Sequence, residues 1–163
     1  MKTVAVRKAQ PSDAAEMAAV LARSFAEYEA LYTPDAFAAT TPKSDEIRRR
    51  FSEGEMWVAT LEERIVGTVS VIPENESLYI RSMAILPEAR ATGLGERLLI
   101  EIENFAVAGG YRRLFLCTTP FLHRAIWLYE RFGFAVSSES PQELKGTPLV
   151  TMSKKLLVSS KHD

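Results

Sequence analysis

Residues 85–99 read I-L-P-E-A-R-A-T-G-L-G-E-R-L-L, and two glycines, Gly93 and Gly95, stand where a strand and turn give way to a helix. Upstream, Leu78–Ile85 (LYIRSMAI) has the apolar content of a strand. Downstream, Leu94, Leu98, Ile102 and Phe105/Ala106 recur at helical spacing until Gly109–Gly110 ends the run. Amide groups at a helix start lack intrahelical partners and point outward, and the dipole there favours an anion. Glycine lets a phosphate approach such amides closely, and Arg90 adds a positive charge at the rim. The pattern is not a P-loop, which needs Gly-Lys-Ser/Thr at its end, nor the dinucleotide fingerprint, whose strand lies near a domain's start. Taken alone, a phosphate cradle and an ordinary glycine turn before an amphipathic helix both fit it.

The rest of the chain builds outward from this unit. Val4–Arg7 reads as a first strand. Pro11, Ser12 and Asp13 open a helix whose apolar face is Met17, Val20, Leu21, Ser24, Phe25 and Tyr28. The segment TPDAFAATTP after Tyr32 reads as irregular, and Ser44–Phe51 as a short basic helix. Met56–Leu61 and Arg64–Ile72 form a hairpin across Glu62–Glu63. Leu114–Cys117 is a strand, Leu122–Arg131 a helix, and Phe134–Ser137 and Leu149–Lys154 are closing strands. Strands and helices alternate in this order, which predicts a mixed α/β domain over residues 1–157 with a loose tail, 158–163.

Composition narrows the function. The 163 residues carry 20 Lys and Arg against 21 Asp and Glu, a net charge of −1, so there is no basic surplus for nucleic acid. No apolar run reaches the ~18 residues of a membrane span, and the first residues lack a secretion signal. A single cysteine, Cys117, forbids an intrachain disulfide, and two distant histidines, His123 and His162, form no zinc cluster. A cytoplasmic protein without metal is expected. Cys117, in the apolar run LFLC, is expected to be buried packing, and Arg48–Arg50 a solvated charge run.

The stretch R-A-T-G-L-G (90–95) resembles the Arg/Gln-x-x-Gly-x-Gly/Ala motif of the GCN5-related N-acetyltransferase (GNAT) superfamily. The run Ala125–Phe134, A-I-W-L-Y-E-R-F-G-F, is similar to that family's second motif, Ala-x-x-Leu-Tyr-x-x-x-Gly-Phe, and the interval between the two also fits. The resemblance covers about Thr3 to Leu156. It implies a mostly antiparallel central sheet with a splayed V-shaped cleft, flanked by helices. It also implies transfer of an acetyl group from acetyl-CoA, a co-substrate, to a primary amine attacking directly in a ternary complex. The acceptor is expected to be a small molecule. A non-catalytic acyl-CoA-binding regulatory module on the same fold is the alternative.

Carried over residue by residue, the backbone of Met83, Ala84 and Ile85 would meet the pantetheine arm and the thioester. Arg90, Ala91, Thr92, Gly93, Leu94, Gly95 and Glu96 would cradle the pyrophosphate. Tyr129 matches the tyrosine that protonates the leaving thiolate. His123 stands where relatives commonly have Asn and would contact CoA. On the strand where many relatives hold a Glu or His base, this chain has Tyr79 and Arg81, neither of them a base at neutral pH. Glu76 is the nearest carboxylate in sequence. Arg81 is expected to find its partner in Glu76, Glu27 or Glu29, or in an anionic acceptor. Tyr79, Arg81 and Tyr28 are the candidate acceptor contacts. Family members often form homodimers, and a homodimer is an expectation here.

Overall fold

The computed structural model describes residues 3–137 and 142–157, so the expected loose tail lies outside the described residues. The elements run β1 (Val4–Lys8), α1 (Ala14–Phe25), α2 (Pro34–Thr40), α3 (Ser44–Arg50), β2 (Met56–Leu61), β3 (Arg64–Glu74), β4 (Ser77–Ile85), α4 (Leu94–Ala108), β5 (Arg113–Thr118), α5 (His123–Arg131), β6 (Ala135–Val136), β7 (Gln142–Leu144) and β8 (Thr147–Lys155). Short 3-10 turns occupy Pro11–Asp13, Ala26–Leu31 and Pro87–Ala89. The sheet order is β1-β2-β3-β4-β5-β8-β6, and β7 pairs with β8. Among the described ladders only β4–β5 is parallel, and α4 supplies the crossover that a parallel pair requires.

Two elements depart from the sequence reading. The stretch after Tyr32 is not irregular: Pro34–Thr40 is a helix. Thr33 caps it, its hydroxyl accepting the Ala36 amide at 3.2 Å, and Pro34 takes the first helical position. The second is β7, which turns into β8 through Lys145 and Gly146, both with positive φ.

The core divides on the two sheet faces. Trp57 on β2 meets Phe105 of α4 edge-on, with centroids 5.3 Å apart. Residues paired across antiparallel strands share a face. Trp57↔Val69 and Val71↔Ile80 therefore turn Val69, Val71 and Ile80 toward α4. On α4, Leu98, Leu99, Ile102 and Ala106 are fully buried against them, each leucine stabilising by about 1.5–3 kcal/mol. The opposite face takes α1 and α3, through Met17, Val20, Leu21 and Ile47. By alternation Tyr79 and Arg81 lie on this second face.

The entry to α1 is fixed by charge. Arg7 donates to both oxygens of Asp13, at 2.8 and 3.1 Å, and Asp13 accepts the Gln10 amide at 2.8 Å. The Arg7 hydrogen bonds hold the Asp13 carboxyl below its usual range, against the opposing effect of burial. A depressed carboxyl stabilises the fold above its unfolded pKa of about 4, and that stabilisation is lost as pH falls through the lower folded value. Asp13→Asn should therefore cost about 1–2 kcal/mol at pH 7. In urea melts run from pH 7 downward, its deficit against the parent should shrink below pH ~4. A deficit unchanged at low pH would assign Asp13 to packing alone.

Candidate active site

The site begins where two strands part. β4 pairs with β5 from Ser77↔Arg113 to Ile80↔Leu116 and no further. Beyond that rung β5 continues beside β8 to Thr118↔Val150, while Arg81–Ile85 stays with β3. The edge of residues 81–85 that faces away from β3 thus has no ladder partner among the described residues. A bulge turns the strand here. Ser70 pairs with Arg81 but Thr68 with Ala84, so β4 spends three steps where β3 spends two. Ser82 takes up the excess with φ +57°, a left-handed conformation uncommon outside glycine. Arg50 of α3 donates to the Ser82 hydroxyl at 2.9 Å and holds it there. Met83, Ala84 and Ile85 lie along the open edge beyond the bulge.

The loop to α4 sits at the far end of that edge. Ala91 and Gly93 have φ of +70° and +80°, and Gly93 caps the helix. The amides of Leu94, Gly95 and Glu96 form the first turn, whose donors have no intrahelical acceptor. The Thr92 hydroxyl donates to the Ala89 carbonyl at 2.5 Å and braces the turn from below. A side chain built on Gly93 would meet nothing within 4 Å. Free donors, the positive end of a 15-residue helix and open space fit a pyrophosphate.

Two expectations for this loop need correction. The space beside Gly95 is not open: a Cβ there would lie 2.9 Å from Leu128 Cδ2, so the missing side chain admits Leu128 of α5. Nor is the Arg90 charge free at the rim. It donates to Glu27 at 2.7 Å and to the Ser24 carbonyl at 3.3 Å, tying the loop to the end of α1.

On the α1–α3 face, Tyr79 stacks on Phe115 with centroids 5.0 Å apart. Arg81 donates to Glu53 at 2.9 Å. That partner is neither Glu76 nor a carboxylate of the first helix. Glu76 lies at the closed end of the β4–β5 pair, exposed, 3.7 Å from Arg112, and Glu27 is engaged by Arg90. Arg48 and Arg49 are solvated and pair with Asp45 and Glu46, but Arg50 is not solvated: it is 8% exposed and turned inward. Burial first, then the Arg81 charge, lowers the Arg50 pKa from its ordinary value. Cys117 is only partly buried rather than fully packed in the core, with its sulfur 3.6 Å from the Thr151 hydroxyl.

Aromatic rings from the segment after α1 close this side. Tyr28 lies 6.2 Å from Phe121, and buried Tyr32 meets the same ring edge-on at 4.9 Å. Burial raises the Tyr32 phenol pKa, partly offset by the neighbouring hydroxyls of Thr119 and Thr40. His123 opens α5, exposed. Tyr129, one helix face further, is 6% exposed, and burial, with a smaller effect of Tyr32, raises its phenol pKa far above the ordinary value. Sequence reasoning missed Arg50, Glu53 and Phe121 as parts of this site. One signal was available: Arg50 stands three residues after Ile47, on the buried stripe of α3.

The model of the acetyltransferase (GNAT) family matches residues 23–134, which takes in the bulged strand, the loop to α4 and Tyr129. The chain belongs to the GNAT family. It is an acyltransferase of the N-acetyltransferase type. Over 135 residues it is 30% identical to the uncharacterized N-acetyltransferase YjgM of Escherichia coli K12, with 79% of this chain and 80% of that one aligned. Over 67 residues it is 43% identical to the amino-acid acetyltransferase of Pseudomonas syringae, 41% of this chain but 15% of that one. The PaiA N-acetyltransferase of Thermoplasma acidophilum, solved with coenzyme A, shares the fold with a TM-score of 0.78 at 19% identity, covering 94% of this chain and 99% of that one. This GNAT chain has, among its described residues, no cluster of three His, Cys, Asp or Glu side chains placed for a metal ion, and no helix long and apolar enough to cross a membrane.

Gly93 offers a clean test of the loop because both Asp and Asn tolerate a left-handed backbone and the space is open. Gly93→Asp should weaken acetyl-CoA binding at least ~10-fold, about 1.4 kcal/mol, in a calorimetric titration. Gly93→Asn should weaken it less. Equal losses would mean crowding rather than charge, and no loss would remove the phosphates from this loop.

Proposed function

We propose that the protein transfers the acetyl group of acetyl-CoA to the primary amine of a small molecule in the cytoplasm, by direct attack in a ternary complex. One observation carries this reading: the strand edge at residues 81–85 is left without a ladder partner and ends at the open amides of α4. An unpaired edge is a template for an extended arm with its own amides. The pyrophosphate then falls to Ala91–Glu96, and the family resemblance gives His123, at the start of α5, a further contact to CoA. Bound acetyl-CoA supplies the activated acyl group. The family relation to an amino-acid acetyltransferase of Pseudomonas syringae, over a part of each chain, supports a small acceptor.

The chain's own residues divide the remaining work. A main-chain N–H of Met83–Ile85 is available to the charge that develops on the acyl oxygen. The Tyr129 hydroxyl, kept protonated by burial, is suited to give its proton to the departing sulfur. Tyr79 and Arg81 cannot take the amine's proton at neutral pH. The amine enters unprotonated, or water carries its proton to solvent.

Free-thiol release from acetyl-CoA against a panel of amines tests the reading, and release must depend on the amine. Tyr129→Phe removes only the hydroxyl. It should lower kcat by about 10²-fold or more with little change in KM for acetyl-CoA. Because burial shifts that phenol upward, it stays an acid well past pH 9, and the parent's rate should rise from pH 7 to 9 without a falling limb. A variant as fast as the parent would return Tyr129 to the core.

A further inference from the structure

Arg50 and Arg81 lie together at the throat of the cleft, and they carry more donors than the protein satisfies. Each guanidinium has five N–H donors. Arg50 spends one on Ser82 at 2.9 Å, and Arg81 spends one on Glu53 at 2.9 Å. The Nε atoms of both are buried without a partner among the described residues. Arg50 itself is 92% buried, since 8% of its surface is exposed. Glu46, one turn before Arg50, is held by Arg49 instead. The charges of Glu46 and Glu53 both act on Arg50, but Glu53 is half open to solvent and bonds one arm of Arg81 only, and neither carboxylate reaches the two Nε donors.

Such a pair is costly as a purely structural device. Buried like charges repel, and each unsatisfied donor forfeits its hydration. Pinning the Ser82 bulge uses one N–H of Arg50 and leaves the second guanidinium unexplained. The place of the pair is informative. Arg81 is the first residue past the last β4–β5 rung, on the face away from α4. It follows Tyr79, whose ring stacks on Phe115, so an apolar wall adjoins the cations.

We propose that Arg50 and Arg81 form an oxyanion-binding subsite for the acceptor, so that the substrate is a small amine that also bears a carboxylate or phosphate. This rests on the acetyl-transfer reading and adds the acceptor's second group. A guanidinium fork binds such groups with paired, charge-assisted hydrogen bonds. The anion takes up the unspent donors, its carbon chain lies along Tyr79 and Phe115, and the amine reaches the open edge beyond Arg81. Glu53 occupies one arm of Arg81 until the acceptor arrives.

The test compares acceptors that differ only in the anion. L-glutamate, L-serine, L-methionine and L-phenylalanine are each set against their α-amides, with O-phosphoethanolamine and spermidine alongside. Thiol release gives kcat/KM, and calorimetry with CoA present gives binding of the N-acetylated amino acids. The parent should favour at least one free acid, or O-phosphoethanolamine, over the uncharged and cationic amines by ~10-fold or more. Arg81→Met and Arg50→Met should each bring that ratio toward one and weaken the N-acetylated amino acid by a like factor. Arg81→Lys should keep part of the ratio, and Glu53→Gln should hold or raise it by freeing Nη2. Amino acid over phosphoethanolamine identifies carboxylate, and the reverse identifies phosphate. A parent that treats acid and amide alike, or prefers spermidine, overturns the proposal, as does an Arg81→Met variant that slows every amine equally. If CoA binds but no amine is acetylated, acetyl transfer fails. The subsite then stands or falls on whether N-acetylated amino acid or O-phosphoethanolamine binds the parent and loses affinity in Arg50→Met.

Discussion

A strand in the middle of a sheet ordinarily has two neighbours, and β4 gives one of them up half-way along. Every other functional feature hangs on that divergence. Four rungs join β4 to β5, after which Arg81–Ile85 follows β3 alone. Backbone groups without a partner are costly when buried, so the parted edge must face water or a ligand with amides of its own. The bulge makes the turn possible by adding a residue to one strand, and Ser82 absorbs it at a strain of roughly 1–3 kcal/mol. A strained non-glycine residue persists only where its surroundings leave no alternative. Here Arg50 grips its hydroxyl, and β3 holds the strand on both sides of it.

The two faces of the sheet then take different tasks. The apolar core lies on both, and the α4 face adds the unpaired amides of a helix start. The α1–α3 face holds Arg81, Tyr79 and Phe115, where the acceptor is proposed to bind. Gly95 links the two tasks. Its lack of a side chain lets Leu128 approach α4, and Leu128 immediately precedes Tyr129. The helix proposed to receive the pyrophosphate is thereby in contact with the helix that carries Tyr129.

Much of this was legible in the chain itself. The helix from Leu94 carries a strong periodic pattern between two apolar runs, Leu78–Ile85 and Leu114–Cys117, and the crossover between β4 and β5 followed from that order. The helix at Pro34–Thr40 was hidden because its alanines and threonines give no apolar stripe, although Thr33-Pro34-Asp35 is a capping sequence. The glycines were visible, but their reasons were not. Only a neighbour's position separates Gly93, which opens onto space, from Gly95, which is pressed by Leu128. Arg50 was harder still. In a run of three arginines nothing in composition distinguishes the buried one, and only the spacing from Ile47 does. The pairing of Arg81 with Glu53 joins residues 28 apart through a loop that no local pattern fixes.

The arginine pair also bears on the missing base. Where relatives place a residue that removes a proton, this chain places a charge that repels one. A cation near an amine disfavours the ammonium form, and at an effective dielectric of ~20 a unit charge about 6 Å away is worth about 3 kcal/mol before screening by solvent. An incoming polycation meets that repulsion at each of its charges. In the proposed subsite an acceptor with its own anion would offset that repulsion at the same two groups. A site of this kind would select by rejecting polycations as well as by binding an anion.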